Sequence, residues 1–244
     1  MDKFSLHAVL TGDVIGSSEL PWGEQERLVE TLHDAFGRVR TALDRHFGYE
    51  EEEPIETAFD VFRGDSWQLY VSEPSAALHA ALAFRAWFRA VSTADTRMAL
   101  AVGPVHTLDR NRVSHSQGPA FVDSGHRLDD LKRRTFECVL WVSNEDSSRQ
   151  RLLDVIASAA GAFAADWTRS QAQAVALMLT LEPDSRGYPQ QKDVAAAWHP
   201  EAVRQQTVSG HLGKAHWDEL SYYLEVYEQE IIDAGVERQF GPQT

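Results

Sequence analysis

Two aspartates stand beside glycines at the ends of apolar segments: Asp13 within AVLTGDVIGSSE (8–19) and Asp65 within FRGDSW (62–67). The run Ala8, Val9, Leu10 predicts a buried strand, and Gly12 with Gly16 places Asp13 on a bend where that strand leaves its sheet. The segments TAFDVF and SWQLYV flank Arg63-Gly64-Asp65, which predicts a hairpin with Asp65 at its tip. If the hairpin lies beside the first strand, the two carboxylates converge. With waters and phosphate oxygens filling the remaining positions, such a pair suits Mg²⁺ or Mn²⁺ bound to a nucleoside triphosphate. The main chain of Val14, Ile15, Gly16, Ser17 and Ser18 turns toward the next helix and would offer N–H groups to phosphates, and Gly64 is assigned to the same nucleotide-binding backbone. A lone aspartate in such a place more commonly serves as a turn or capping residue, so the functional reading rests on the pair.

A second constellation lies toward the other end of the chain. A short helix over 191–198, a turn containing Pro200 and a helix over 204–216 rich in small polar side chains form the pattern of a helix-turn-helix (about 186–216). In that motif the second helix presents its N-terminal residues to base edges in the major groove. Arg204 and Gln205 are then the base readers, with Gln206, Ser209 and Lys214 contacting phosphates or bases. Between 186 and 216, Arg186, Lys192, Arg204 and Lys214 outnumber Asp193 and Glu201, and His199, His211 and His216 could add to that positive surplus. In a chain of net charge −14 the contrast favours DNA. The alternative is a helical cap or dimerisation module, a use the same motif also serves.

Other chemistries find less support. No nucleophile-elbow pattern surrounds Ser17 or Ser18, which argues against Ser-His-Asp hydrolysis. His106, His115 and His126 have no recognised metal-ligand spacing and are expected at the surface.

The elements that must position these residues follow from periodicity. Leu28, Leu32, Phe36, Val39, Leu43 and Phe47 stripe one face of a helix over 23–47, and the glutamate run 50–53 reads as a solvated loop. Residues 75–91 predict a helix buried over a wide face, 98–102 a strand, and 106–117 a loop. A helix from about 118 to 132 carries Phe121, Val122, Leu128 and Leu131, and 137–142 is a further strand. The order strand, helix, strand, strand, helix, strand, helix, strand predicts an α+β sandwich of ferredoxin-like type, a mostly antiparallel sheet covered by helices on one side. From about 145 onward only helices are expected, ending with one over 217–233. The chain thus divides into an α/β domain (1–148) and an all-α helical domain (149–244).

Composition bounds the rest. At 244 residues, with 43% hydrophobic and 25% charged residues, the chain is ordinary globular material. Its acidity confines nucleic-acid binding to a local patch and makes divalent cations natural partners. The single cysteine, Cys138, lies in an apolar run and excludes an intrachain disulfide, which points to a reducing interior. MDKFSLHAVLTG lacks the apolar core of a signal peptide, and no run approaches the roughly 18 apolar residues of a membrane span. A cytoplasmic protein with no membrane association is expected.

TGDVIGSSE, FRGDSWQLYV, MALAVGPV and VDSGHRL occur in an order and spacing that resemble the class III nucleotide cyclase domain. Its motifs are a metal Asp in a D-[IV]-x-G-[FS]-[ST] turn, a second metal Asp in a G-D hairpin, a strand ending in Gly-x-Val, and V-N-x-A-x-R-L on a helix. With the helix-turn-helix behind it, the whole chain resembles the SatD family of bacterial proteins. The resemblance implies metal ligation by Asp13 and Asp65, and a catalytic role for Arg127 in stabilising charge on a transferring phosphate. It places Asp123 where cyclases carry the asparagine of that helix, Val61 where they carry a purine-selecting lysine, and His115 where they carry an aspartate. Residues 137–142 offer no clear equivalent of the second phosphate-binding lysine. The metal-binding half of such a site is kept and the base-reading half is lost. Because class III domains build their sites across a twofold interface, a homodimer is also implied, which would suit a palindromic operator. The function expected is a DNA-binding regulator with a nucleotide- and Mg²⁺-binding sensor domain. The alternative is an active nucleotidyl cyclase whose tail serves assembly or regulation.

Overall fold

The computed structural model describes residues 6–47, 54–131, 136–140, 147–184 and 187–234. The glutamate run 50–53 and Arg186 lie outside them. The molecule is of mixed α+β type. Strands β1 (Leu6–Ile15), β2 (Thr57–Phe62), β3 (Ser66–Val71), β4 (Asp95–Pro104) and β5 (Phe136–Leu140) form one sheet in the order β2-β3-β1-β4-β5. Neighbours among the first four are antiparallel, and β5 joins β4 in parallel.

Alternation along β1 divides its side chains between two layers. Ala8, Leu10 and Val14 face the main core, whereas Val9 joins a smaller cluster with Tyr70, Val113, Ala120 and Phe121 on the opposite face. The main core is covered by α2 (Leu28–Phe47), which follows the short α1 (Trp22–Glu26), and by α3 (Ala77–Val91). Helix α4 (Pro119–Asp130) lies on the other face, with Ser124 hydrogen-bonded to Thr11 of β1 at 2.8 Å. Helices therefore cover both faces and not one, because Ala120 and Phe121 give α4 an apolar face that the second layer of the sheet must bury.

Asp13 is not on a bend. β1 continues through it to Ile15, with Asp13 paired across to Ser66 of β3 and Arg97 of β4. The chain turns only at Gly16, whose φ of 66° is left-handed. Gly12 marks a close approach and not a turn, since a Cβ there would stand 2.3 Å from the indole of Trp67.

The later segment is helical: α5 (Ser147–Ala165), α6 (Arg169–Thr180), α7 (Gln191–Ala196), α8 (Gln205–Lys214) and α9 (Trp217–Asp233). A capping box at Thr168 and Gln171 starts α6. Segments 1–148 and 149–244 share one hydrophobic core, which runs from the sheet through α3 into α5, α6, α8 and α9. Every residue of α3 from Ala77 to Phe88 is buried, as expected of a helix with neighbours all round it.

That central helix brings polar groups with it. His79 is enclosed, its Nε2 donating to the Leu179 carbonyl at 2.7 Å, and its ring lies 4.8 Å from that of His46, which donates to the Leu181 carbonyl. Burial pushes the His79 pKa from 6.5 down to about 3, and burial also lowers His46. The folded chain keeps both neutral while the unfolded chain protonates them below 6.5. Their contribution is therefore present above pH 6.5 and is lost as pH falls, for His79 by roughly 1.4 kcal/mol per pH unit toward its folded value. Urea midpoints should drop between pH 7.5 and 5.5, and His79→Gln, which keeps a donor for Leu179, should flatten that dependence.

Candidate functional site

The end of the sheet where β1 exits gathers most of the residues that the sequence singles out. The β2–β3 hairpin turns at Arg63 and Gly64, with φ of 56° and 88°, so the tip folds over with the twist of its strands. The carbonyl of Asp65 accepts the Val14 N–H at 3.1 Å, tying the tip to β1. The Asp65 carboxylate accepts the Ser17 hydroxyl at 2.6 Å and the Ser66 hydroxyl at 3.4 Å. A short 3₁₀ turn, Ser17–Glu19, follows Gly16. Hydrogen bonds thus join Val14, Ser17 and Asp65 into one rim, with Asp13, Ile15, Gly16 and Ser18 adjoining along the chain and Gly64 preceding Asp65 at the hairpin tip. Val14 itself cannot offer its N–H to a phosphate, because that group is committed to Asp65.

Asp13 points to the α4 face, and both its oxygens are held by Arg97. Nε donates to Oδ1 and Nη2 to Oδ2, each at 2.7 Å, in a bidentate pair that is only partly exposed. The Asp13 hydrogen bonds, foremost, raise the Arg97 pKa further. Arg97 Nη1 also reaches the carbonyl of Leu131, the residue that caps α4. Arg127 lies one turn earlier on the same helix, and Leu131 donates to its carbonyl at 3.1 Å. Arg127 is exposed and Asp123 half-buried beside Ser124.

Sequence reasoning does not single out Arg97. Its signal is a charged residue between buried Thr96 and Met98, at the position of β4 that antiparallel pairing sets against Asp13. The fit to a divalent cation is therefore conditional. Two carboxylates stand at this rim, and one already carries a counter-ion. Among the described residues no group of three or more His, Cys, Asp or Glu forms a metal cluster. His106, His115 and His126 are exposed, as expected.

The helix-turn-helix candidate is built on α6, α7 and α8. Val194 and Ala195 of α7, Val208 and Leu212 of α8, and Ala215 beyond it are buried. Trp198 stacks on His211, and Val203 donates to the Ala195 carbonyl, so residues 197–204 form an ordered connection longer than a tight turn. Arg204, Gln205, Gln206, Ser209 and Lys214 are all exposed, as is Lys192. His211 adds no positive charge at neutral pH, because burial, and then Lys214, lower its pKa.

A chain of hydrogen bonds joins the two regions. The Thr96 hydroxyl donates to the Asp13 carbonyl at 2.7 Å and accepts the Trp67 indole N–H at 3.0 Å. The Thr96 N–H donates to Asp95 at 2.8 Å, and Asp95 is clamped by Arg85 at 2.9 and 2.6 Å and by Arg89 at 2.7 Å. Arg85 continues to the Gly161 carbonyl of α5, and Arg89 to the Trp167 carbonyl. The Trp167 indole then donates to the carbonyl of Ala215, the residue that caps α8, at 3.2 Å.

No protein-family model matches the chain, and no curated protein matches it.

Proposed function

We propose that this chain is a DNA-binding regulator whose sheet region, of the ferredoxin-like and class III cyclase-like type, binds a nucleotide together with Mg²⁺ or Mn²⁺. The observation that carries the reading is the bonded chain from the Asp13 strand to the cap of α8. It gives a ligand at one end a physical route to a helix whose outer face is polar throughout. The strand order of the four antiparallel strands supports the ferredoxin-like reading, and the rim of Asp13, Asp65, Ser17 and Gly64 supports a phosphate-bearing ligand. Arg127 would face that ligand, with Asp123 beside it. Arg204, Gln205, Gln206, Ser209 and Lys214 would meet DNA, and a homodimer would match an operator of two half-sites. Among the described residues no helix is long and apolar enough to cross a membrane, and we place the protein in the cytoplasm, where its proposed ligands are.

The test is a mobility shift on the DNA upstream of the protein's own gene, with and without each ribonucleoside triphosphate and Mn²⁺. Arg204→Ala should weaken binding roughly 10-fold or more. Asp13→Asn should leave basal binding intact and remove the response to nucleotide. Equal binding by Arg204→Ala would remove α8 from the interface. Release of pyrophosphate with a cyclic product would assign a nucleotidyl cyclase instead.

A further inference from the structure

Arg97 holds the carboxylate that a divalent cation would need. Both oxygens of Asp13 are occupied at 2.7 Å by two nitrogens of one guanidinium, in a geometry that matches a carboxylate and equally well a phosphate. The pair is part-buried, with side-chain exposures of 40% for Arg97 and 23% for Asp13, so it is not a fully solvated contact that dissolves into water at little cost. The guanidinium is anchored on its far side to the Leu131 carbonyl. Among the described residues the Asp65 carboxylate, on the same rim, accepts the hydroxyls of Ser17 and Ser66, which a cation can displace or share.

We propose, resting on the nucleotide and metal reading above, that Arg97 is a positioning residue that makes cation binding conditional on a phosphate. A free divalent cation meets an Asp13 that is already neutralised and must expel a cation to enter. A polyphosphate offers Arg97 a second bidentate partner. Arg97 then transfers from Asp13 to phosphate, Asp13 is released to the metal, and the metal bridges Asp13, Asp65 and the phosphate oxygens. Charge stays balanced at each stage, since the carboxylate exchanges one cation for another and the guanidinium exchanges one anion for another. Metal and polyphosphate bind cooperatively, and neither binds well alone. The same exchange would loosen the Arg97 grip on the end of α4.

Titration of the full-length protein with Mn²⁺, read by the electron paramagnetic resonance of bound against free Mn²⁺, tests this with inorganic tripolyphosphate as the phosphate probe. The wild type should bind Mn²⁺ weakly alone and take up one ion when tripolyphosphate is added. Arg97→Gln should bind Mn²⁺ alone roughly 10- to 100-fold more tightly than the wild type and should lose the enhancement by tripolyphosphate. Arg97→Lys, which keeps the charge but not the fork, should fall between them and guards against a folding defect in the glutamine variant. Asp13→Asn should abolish the site in every background. If the wild type and Arg97→Gln bind Mn²⁺ alone with equal affinity, and Asp13→Asn removes that binding, the conditional role of Arg97 is overturned and the metal site stands. If no protein binds Mn²⁺ with or without tripolyphosphate, or Asp13→Asn changes nothing, the metal reading falls and the role of Arg97 falls with it.

Discussion

Arg85→Met should lower the unfolding free energy by about 3 kcal/mol, the lower end of the range for removing one partner of a buried ion pair. For a chain of this length that corresponds to a fall of roughly 6–12 °C in Tm. Arg85 is 1% exposed and lies within a helix buried on all sides. Its guanidinium holds both oxygens of Asp95 and donates to the Gly161 carbonyl, so one side chain joins β4, α3 and α5. Methionine fills much of the volume, leaves Asp95 to Arg89 and the Thr96 N–H, and removes the Arg85 bond to the Gly161 carbonyl. Arg89 keeps the loss from reaching the top of the range, since it stays paired with Asp95 at 2.7 Å. Urea denaturation with a fixed m-value measures the change. A loss below about 1 kcal/mol would mean that Arg89 alone neutralises Asp95. Asp95→Asn in the Arg85→Met background should cost less than the sum of the two single changes, because the two residues form one unit.

Arg85 also shows where sequence reading stops. Periodicity alone locates α3 and its neighbours, because Leu78, Leu82 and Phe84 repeat where a buried helix needs them, and the RGD turn with its flanking β-branched and aromatic residues marks the hairpin. Sequence patterning likewise places Val208 and Leu212 inward on α8 and the polar residues outward. An arginine in the middle of α3, by contrast, carries no signal in the periodicity that says what it pairs with. Only the arrival of α5 and α6 from far along the chain turns it into a buried ion pair. The same holds for Arg97, whose pairing with Asp13 depends on the register between two strands more than eighty residues apart. Carboxylates on glycine-bearing segments are visible locally. The cations that neutralise them are set by tertiary register, and they decide whether an aspartate is an open ligand or a committed one.

Gly12→Ala should cost about 3 kcal/mol or more, above the usual range for a small overpacking change. The added Cβ would stand 2.3 and 2.5 Å from two carbons of the Trp67 indole and 2.8 Å from the Arg97 carbonyl oxygen. Neither neighbour can give way easily. The indole is fully buried, packs 4.4 Å from the ring of Phe84 and donates to Thr96, while the carbonyl belongs to the β4 backbone paired with β1. Trp67→Phe keeps an aromatic ring but shortens it, which should make Gly12→Ala less costly in that background and yield a favourable coupling of roughly 1 kcal/mol or more. The remaining cost then measures the clash with the β4 main chain. The substitution also separates stability from function, because the strands it pushes apart carry Asp13 and Arg97 at the next position along each. A Gly12→Ala protein that still folds at low temperature should therefore show a weakened Asp13–Arg97 pair and bind Mn²⁺ without tripolyphosphate, as Arg97→Gln does. Retention of phosphate-dependent uptake in a folded Gly12→Ala protein would instead mean that the indole, not the strand pair, absorbs the added carbon.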